Sequence, residues 1–114
     1  MSEARLPAHV EVSALIRQTQ ALGGFAAVLK KGEVEAGTIL IIFTENGANT
    51  RVFERMPQLD GTRKWHCAKE EDIENKHEFS EYIARRQHQD GDLWIIELDI
   101  VNGERLIGLS ADTA

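Results

Sequence analysis

Thr38-Ile39-Leu40-Ile41-Ile42-Phe43 is an unbroken run dominated by apolar and β-branched side chains. Six residues is strand length, and β-branched side chains favour the pleated backbone. A strand with one wet face alternates apolar and polar residues; a run without alternation is tolerated where both faces are covered. The segment is therefore expected as the central strand of a sheet. After it, Glu45-Asn46-Gly47-Ala48-Asn49 carries the Asn-Gly pair of a tight hairpin, and residues 50–56 follow as another strand closed by Pro57. Before it, Phe25, Ala27 and Leu29 point one way and Ala26, Val28 and Lys30 the other, so a first strand precedes the loop 32–37. A meander is the simplest layout. Residues 57–64 read as loop and 64–68, with Trp65, as a short further strand.

Helical spacing appears on both sides of these strands. Within 10–22, the residues Val12, Leu15, Ile16, Thr19 and Leu22 fall on one stripe of a helix that Gly23-Gly24 ends. Within 69–89, Ile73, Phe79, Ser80, Ile83 and Ala84 share an arc. Glu70, Glu71, Asp72 and Glu74 there crowd the positive end of the helix dipole, and Arg85, Arg86 and His88 the negative end. Asp90-Gly91-Asp92 then releases 93–100, where Trp94, Ile96, Leu98 and Ile100 share one face and Glu97 and Asp99 the other. Asn102-Gly103 offers a second tight turn into 104–107, giving a final hairpin. The expected architecture is α+β, with two helices packed on one face of a mostly antiparallel five- or six-stranded sheet. It spans 6–108 as one domain, with flexible termini at 1–5 and 109–114.

Composition bounds the function. A chain of 114 residues with 42% hydrophobic content closes a core without disulfides or metals. A net charge of -6 argues against a general duplex-DNA binder, whose affinity comes from neutralising phosphates. The single Cys67 cannot form an internal disulfide, which points to a reducing cytoplasm, and it is expected as a small buried or half-buried apolar side chain. No apolar run approaches the ~18 residues of a membrane span, and the start lacks the apolar stretch of a signal peptide.

Few residues are spaced for chemistry. His66 and Cys67 are adjacent in a strand and point apart, while His77 and His88 lie about 16 Å apart along a helix, so no zinc site is expected. Neither phosphate-cradling glycine pattern nor a nucleophile elbow occurs, and no cofactor is expected. The acidic residues Asp90, Asp92, Glu97 and Asp99 are expected beside a turn and on a solvated strand face. A small metal-dependent enzyme using Asp92 and Glu97 is kept as an alternative. Arg51, Phe53 and Arg55 share one strand face, the pattern of a single-stranded nucleic-acid binder, kept as an alternative; the expected reading is a solvated or partner-facing strand, and a purely structural sheet would instead bury Phe53 under the arginine stems. Helices on one side of the sheet would leave its other side open, although the runs 38–43 and 93–100 are apolar. A homodimer or another protein is therefore the expected cover, and a non-enzymatic interaction or assembly domain the expected function.

Three segments carry a resemblance: Val12-Ser13-Ala14-Leu15-Ile16-Arg17; Gly24-Phe25-Ala26-Ala27-Val28-Leu29-Lys30-Lys31-Gly32 with Ala36-Gly37; and Asp90-Gly91-Asp92-Leu93-Trp94-Ile95-Ile96-Glu97. Together they resemble family 1491 of the domains of unknown function, small alphaproteobacterial proteins, over about 6–107. In that family the two aspartates before Leu-Trp are often separated by Pro, where this chain has Gly91. The resemblance implies one bacterial cytoplasmic domain and brings no activity with it. Its polar or amphipathic members Arg17, Lys30, Lys31, Asp92, Trp94 and Glu97 become candidate site residues, with Arg17 and Glu97 a possible structural ion pair.

Overall fold

The computed structural model describes residues 6–109. In chain order these form α1 (Ala8–Ala21), β1 (Phe25–Lys30), β2 (Ile39–Glu45), β3 (Ala48–Pro57), β4 (Arg63–Glu70), α2 (Lys76–Gln89) and β5 (Trp94–Asp99), followed by a 3-10 turn at Gly103–Ile107. The five strands lie in the order β1-β5-β2-β3-β4.

β2 is the central strand, as its composition requires. β2, β3 and β4 form the expected antiparallel meander. β5 departs from it: the strand inserts between β1 and β2, parallel to β2 from Ile39↔Trp94 to Thr44↔Asp99 and antiparallel to β1. The two most apolar segments of the chain thereby lie side by side, where each is flanked by strands and covered above and below. β1 is displaced to the sheet edge.

The α+β class, the two helices and the mostly antiparallel sheet match expectation; the helices, expected on one face, lie on opposite faces. Ala8, Val12 and Leu15 of α1 join Ile39, Ile41, Phe43, Phe53, Trp94, Ile96 and Leu98 in one core layer. Phe79 of α2 joins Leu40, Ile42, Val52, Leu93 and Ile95 in the other, with Tyr82, Ile83 and Ala68 at its margin. The cause lies in period-two geometry. In β2, and over residues 93–96, odd and even side chains alike are apolar, so both faces must be sealed.

Local boundaries also differ from expectation for identifiable reasons. α1 starts at Ala8, directly after Pro7, which suits the first turn of a helix. Its free N–H groups are satisfied from outside: Ala8 N donates to Glu35 O (2.8 Å) and His9 N to Val34 O (3.0 Å). Leu22 falls beyond the helix and is exposed. α2 starts at Lys76 because 63–70 is taken by β4, and Ile73, expected on the buried stripe, is 79% exposed in the loop between them. Asn75 caps the helix by accepting from Glu78 N. Residues 104–107 form a 3-10 turn instead of a strand: Asn102 is left-handed (φ 55°), and Gly103 lies so close to Phe43 that a Cβ would fall 2.3 Å from the ring. Cys67 is exposed on edge strand β4, not buried. The expected flexible termini lie outside the described residues except Leu109, which packs against the α1-side core and donates its N–H to Glu104 O (2.9 Å).

Candidate interaction surface

Two of the three segments that carry the family resemblance, 24–37 and 90–97, meet at one corner of the sheet. Trp94 is buried, and its Nε1 donates to Glu33 O (2.7 Å). Lys30 Nζ donates to Gly91 O (2.7 Å) and Leu93 O (2.9 Å), and Glu33 N donates to Asp92 O (3.0 Å). A Cβ on either Gly32 or Gly37 would fall within 3 Å of Asp92 O and of the Trp94 indole, so the loop can close over the ring only without side chains there. Lys30, Asp92 and Trp94 are thus brought together, in a clasp that ties the β1–β2 loop to the start of β5. A Cβ at Gly91 would meet nothing within 4 Å.

Asp92 and Glu97 do not converge. They stand five residues apart on extended chain, about 16 Å. Among the described residues no group of three or more His, Cys, Asp or Glu is placed to hold a metal ion. Arg17 is exposed on α1, whereas Glu97 lies on the α2 side of the sheet, paired with Ala27.

Arg51, Phe53 and Arg55 share a face, and that face is the interior beneath α1. Phe53 is 6% exposed and meets Phe43 edge-on at 5.6 Å. Arg51 Nε and Nη2 donate to both carboxylate oxygens of Glu104 (2.8 and 2.6 Å), and Nη2 also reaches Glu45 (3.4 Å). Arg55 makes a two-pronged pair with Glu11 of α1 (2.7 and 2.9 Å) and lies 4.5 Å over the Trp65 ring. Both guanidinium groups are paired with carboxylates, and no ring face of Phe53 is open for a base to stack on. Burial alone would lower the Arg51 pKa, but the bonds and charges of Glu104 and Glu45 outweigh it, and the pKa is raised. The Arg51 hydrogen bond in turn holds the Glu104 carboxyl below its ordinary value despite burial.

What the fold leaves open is β1. It is an edge strand, and Phe25 (73%) and Leu29 (54%) are largely exposed, with Val28, Ala27 and neighbouring Leu22 also exposed. The opposite edge differs in chemistry. β4 reads Arg63-Lys64-Trp65-His66-Cys67-Ala68-Lys69-Glu70, with charged side chains of the kind that discourage strand pairing. The ladder between β1 and β5 is regular from Phe25 to Val28, and a bulge precedes Lys30. Phe25 and Ala27, paired with Asp99 and Glu97, lie on the α2 side of the sheet. Beside that strip a cleft of about 550 Å³ separates α2 from the sheet, walled by Ile42, Phe79, Ile83, Glu97 and Asp99. Lys31 is exposed just past the strand. The alternation of residues 25–30 was legible in the sequence; their position at an edge depended on where β5 inserts.

No curated protein matches the chain. Among solved structures, a DUF1491 family protein from Caulobacter crescentus is similar in its crystal structure, with TM-score 0.80 and 27% identity over 93% of this chain and 98% of that one. The solution structure of protein Atu0922 from A. tumefaciens is similar at TM-score 0.76 and 29% identity, over 97% and 98%. The family model described as "Protein of unknown function (DUF1491)" matches residues 6–108, and the chain belongs to that family.

Proposed function

We propose that this chain is a non-enzymatic interaction domain of the cytoplasm whose contact surface is the outer edge of β1. The observation that carries the reading is an apolar strand at a sheet edge, with Phe25, Val28 and Leu29 exposed, beside a β5 whose apolar side chains are buried. Such an edge offers a row of unpaired backbone donors and acceptors together with apolar side chains, the two elements by which one sheet receives another strand. This replaces the open sheet face as the reason for expecting a partner, since both faces carry a helix. The free cysteine fits a reducing compartment, and no helix among the described residues is long and apolar enough to cross a membrane.

The test is photo-crosslinking in living cells with a benzophenone side chain at position 25 and, as control, at position 59, where Leu59 is fully exposed on the β3–β4 loop. Adducts to protein, of any identity, from position 25 and not from 59 are expected. Equal labelling at both positions, or none at either, overturns the reading.

A further inference from the structure

We infer that the cleft between α2 and the β5 side of the sheet receives a helix of a partner protein, laid beside α2 with a lysine or arginine against Glu97. This contact is a second one, on a face of the sheet, and needs nothing to pair with the β1 edge.

The flank of α2 that borders the cleft is patterned for a neighbouring helix. Ser80, Ile83, Ala84 and Gln87 line it. They recur at i, i+3, i+4 and i+7, the spacing of one helix face. None is charged, although Ser80, Ala84 and Gln87 are exposed. The other exposed positions of α2 include His77, Glu78, Glu81, Arg85 and His88, and none of these lines the cleft. A helix packed beside another lies about 10 Å away, two strand spacings. Because α2 is tied to β3 through Glu54 and to β4 through Lys69, that distance places a second helix over β5 and β1, where Ala27 is exposed on the α2 side. A sheet face offers no backbone groups for pairing, so a segment lying on it satisfies its own by forming a helix.

Charge determines what that helix must carry. Among the described residues, the half-buried carboxylates of Glu11, Glu45, Glu54 and Glu104 meet arginines, and those of Asp90 and Asp99 accept from backbone N–H groups. The half-buried carboxylates of Glu71 and Glu97 have no such partner among the described residues, and both line this cleft. Glu97 stands between Ala27 of β1 and Ile42 of β2, with Asp99 two residues farther along the same face. Asp99 uses Oδ1 for Asn46 N (2.9 Å) and retains its other oxygen. Against these three carboxylates the described lining holds one cation, Lys76, at the first position of α2 and a turn before Ser80. A helix that covered Glu97 without supplying a cation would strip water from an unpaired carboxylate, at a cost larger than the apolar contact supplies. The occupant is therefore apolar toward Ile83 and Ala84 and basic toward Glu97 and Asp99.

Two synthetic helical peptides with the same leucine stripe, one carrying lysine and the other glutamate at its polar positions, test this by calorimetric titration at low salt. Wild type is expected to bind the lysine peptide at least tenfold more tightly than the glutamate peptide. Glu97→Lys is expected to reverse that preference, and Ala84→Arg to weaken the lysine peptide at least tenfold. Glu81→Lys makes the same change of net charge at an exposed position of α2 outside the cleft, and is expected to alter binding less than twofold. Circular dichroism confirms the fold of each variant. In wild type, the amide resonances of 80–87 and of Glu97 are expected to move as the lysine peptide is added, a readout that depends on no variant folding. Equal affinity for the two peptides overturns the proposal, as do equal losses in Glu97→Lys and Glu81→Lys, or resonances of 80–87 and Glu97 that stay fixed. A bound peptide that is not helical overturns it too. A wild-type dimer that Ala84→Arg dissociates assigns the cleft to a second copy and likewise overturns it. Crosslinking from position 25 reports on the β1 edge, so either reading can fail while the other stands.

Discussion

The two helices have the same length, 14 residues, and seal the sheet by different means. α1 buries Ala8, Val12, Leu15 and Thr19 along three turns, and Thr19 satisfies its buried hydroxyl on Leu15 O (2.8 Å) within the helix. α2 buries Phe79 alone, with Tyr82 and Ile83 half covered. The rest of its anchorage is polar: Arg86 pairs with Glu54 (3.1 Å), the Tyr82 hydroxyl donates to the same carboxylate, and Lys69 reaches Glu78. Burial, with the charge of Glu54, pushes the Tyr82 hydroxyl pKa up. Equal helical length therefore does not mean equal hold: one helix is seated by area, the other by one aromatic ring and a few charges.

Four substitutions sharpen or break that contrast. Phe43→Ala, in the layer under α1, is expected to cost about 4 kcal/mol in denaturant unfolding, because close neighbours on every side cannot collapse into the gap. Phe79→Ala is expected to cost less, about 2–3 kcal/mol, since its site adjoins the open cleft and α2 can settle inward. Equal losses would mean that α2 is as firmly packed as α1. Glu104→Gln is expected to cost about 2 kcal/mol at neutral pH by removing the charge that Arg51 needs in a partly buried setting.

The sign of the Glu104 contribution with pH follows from its lowered carboxyl. Its contribution is present above the ordinary glutamate value, 4.5, and is lost as pH falls below that value through the lowered one. Wild type should lose stability more steeply than Glu104→Gln below about pH 4.5, and parallel pH profiles would remove the pair from the stability of this face. The smallest expected effect is Asn75→Ala at the start of α2, about 0.5 kcal/mol, because the cap bond is long at 3.4 Å. Faster hydrogen exchange along α2 than along α1 in that variant would place the weaker attachment where the contrast puts it.

Much of this was written in local pattern. The stretch 38–43 announced cover on both sides, and β2 has it; the same stretch read together with Leu93 and Ile95 required helices on opposite faces, a conclusion that depends on knowing β2 and β5 are neighbours. Strand order is a property of pairing over some fifty residues, and the hairpin signals report only adjacent strands. The end of the chain shows the same limit: Asn102-Gly103 supplied the left-handed turn, but the Phe43 ring and the Arg51–Glu104 bond decided that a 3-10 turn would follow it. The candidate residues divided along a similar line. Lys30, Asp92 and Trp94, named by the resemblance as candidate site residues, close a loop. Arg51, Phe53 and Arg55 were correctly grouped on one face, which faces inward. β1 was read as a strand, and it stays an edge because β5 inserts between it and β2 and not outside it.

That insertion also dictates when the sheet can be completed during synthesis. β1 and β2 share no hydrogen-bonded ladder of their own; both wait for a ribbon that leaves the ribosome some fifty residues after β2. Until then α1 and β1 can only hover beside a three-stranded meander, and the clasp around Trp94 cannot shut. Assembly should therefore be late and abrupt, governed by non-local closure, with a nascent chain that depends on its last strand to unite two halves otherwise strangers to each other.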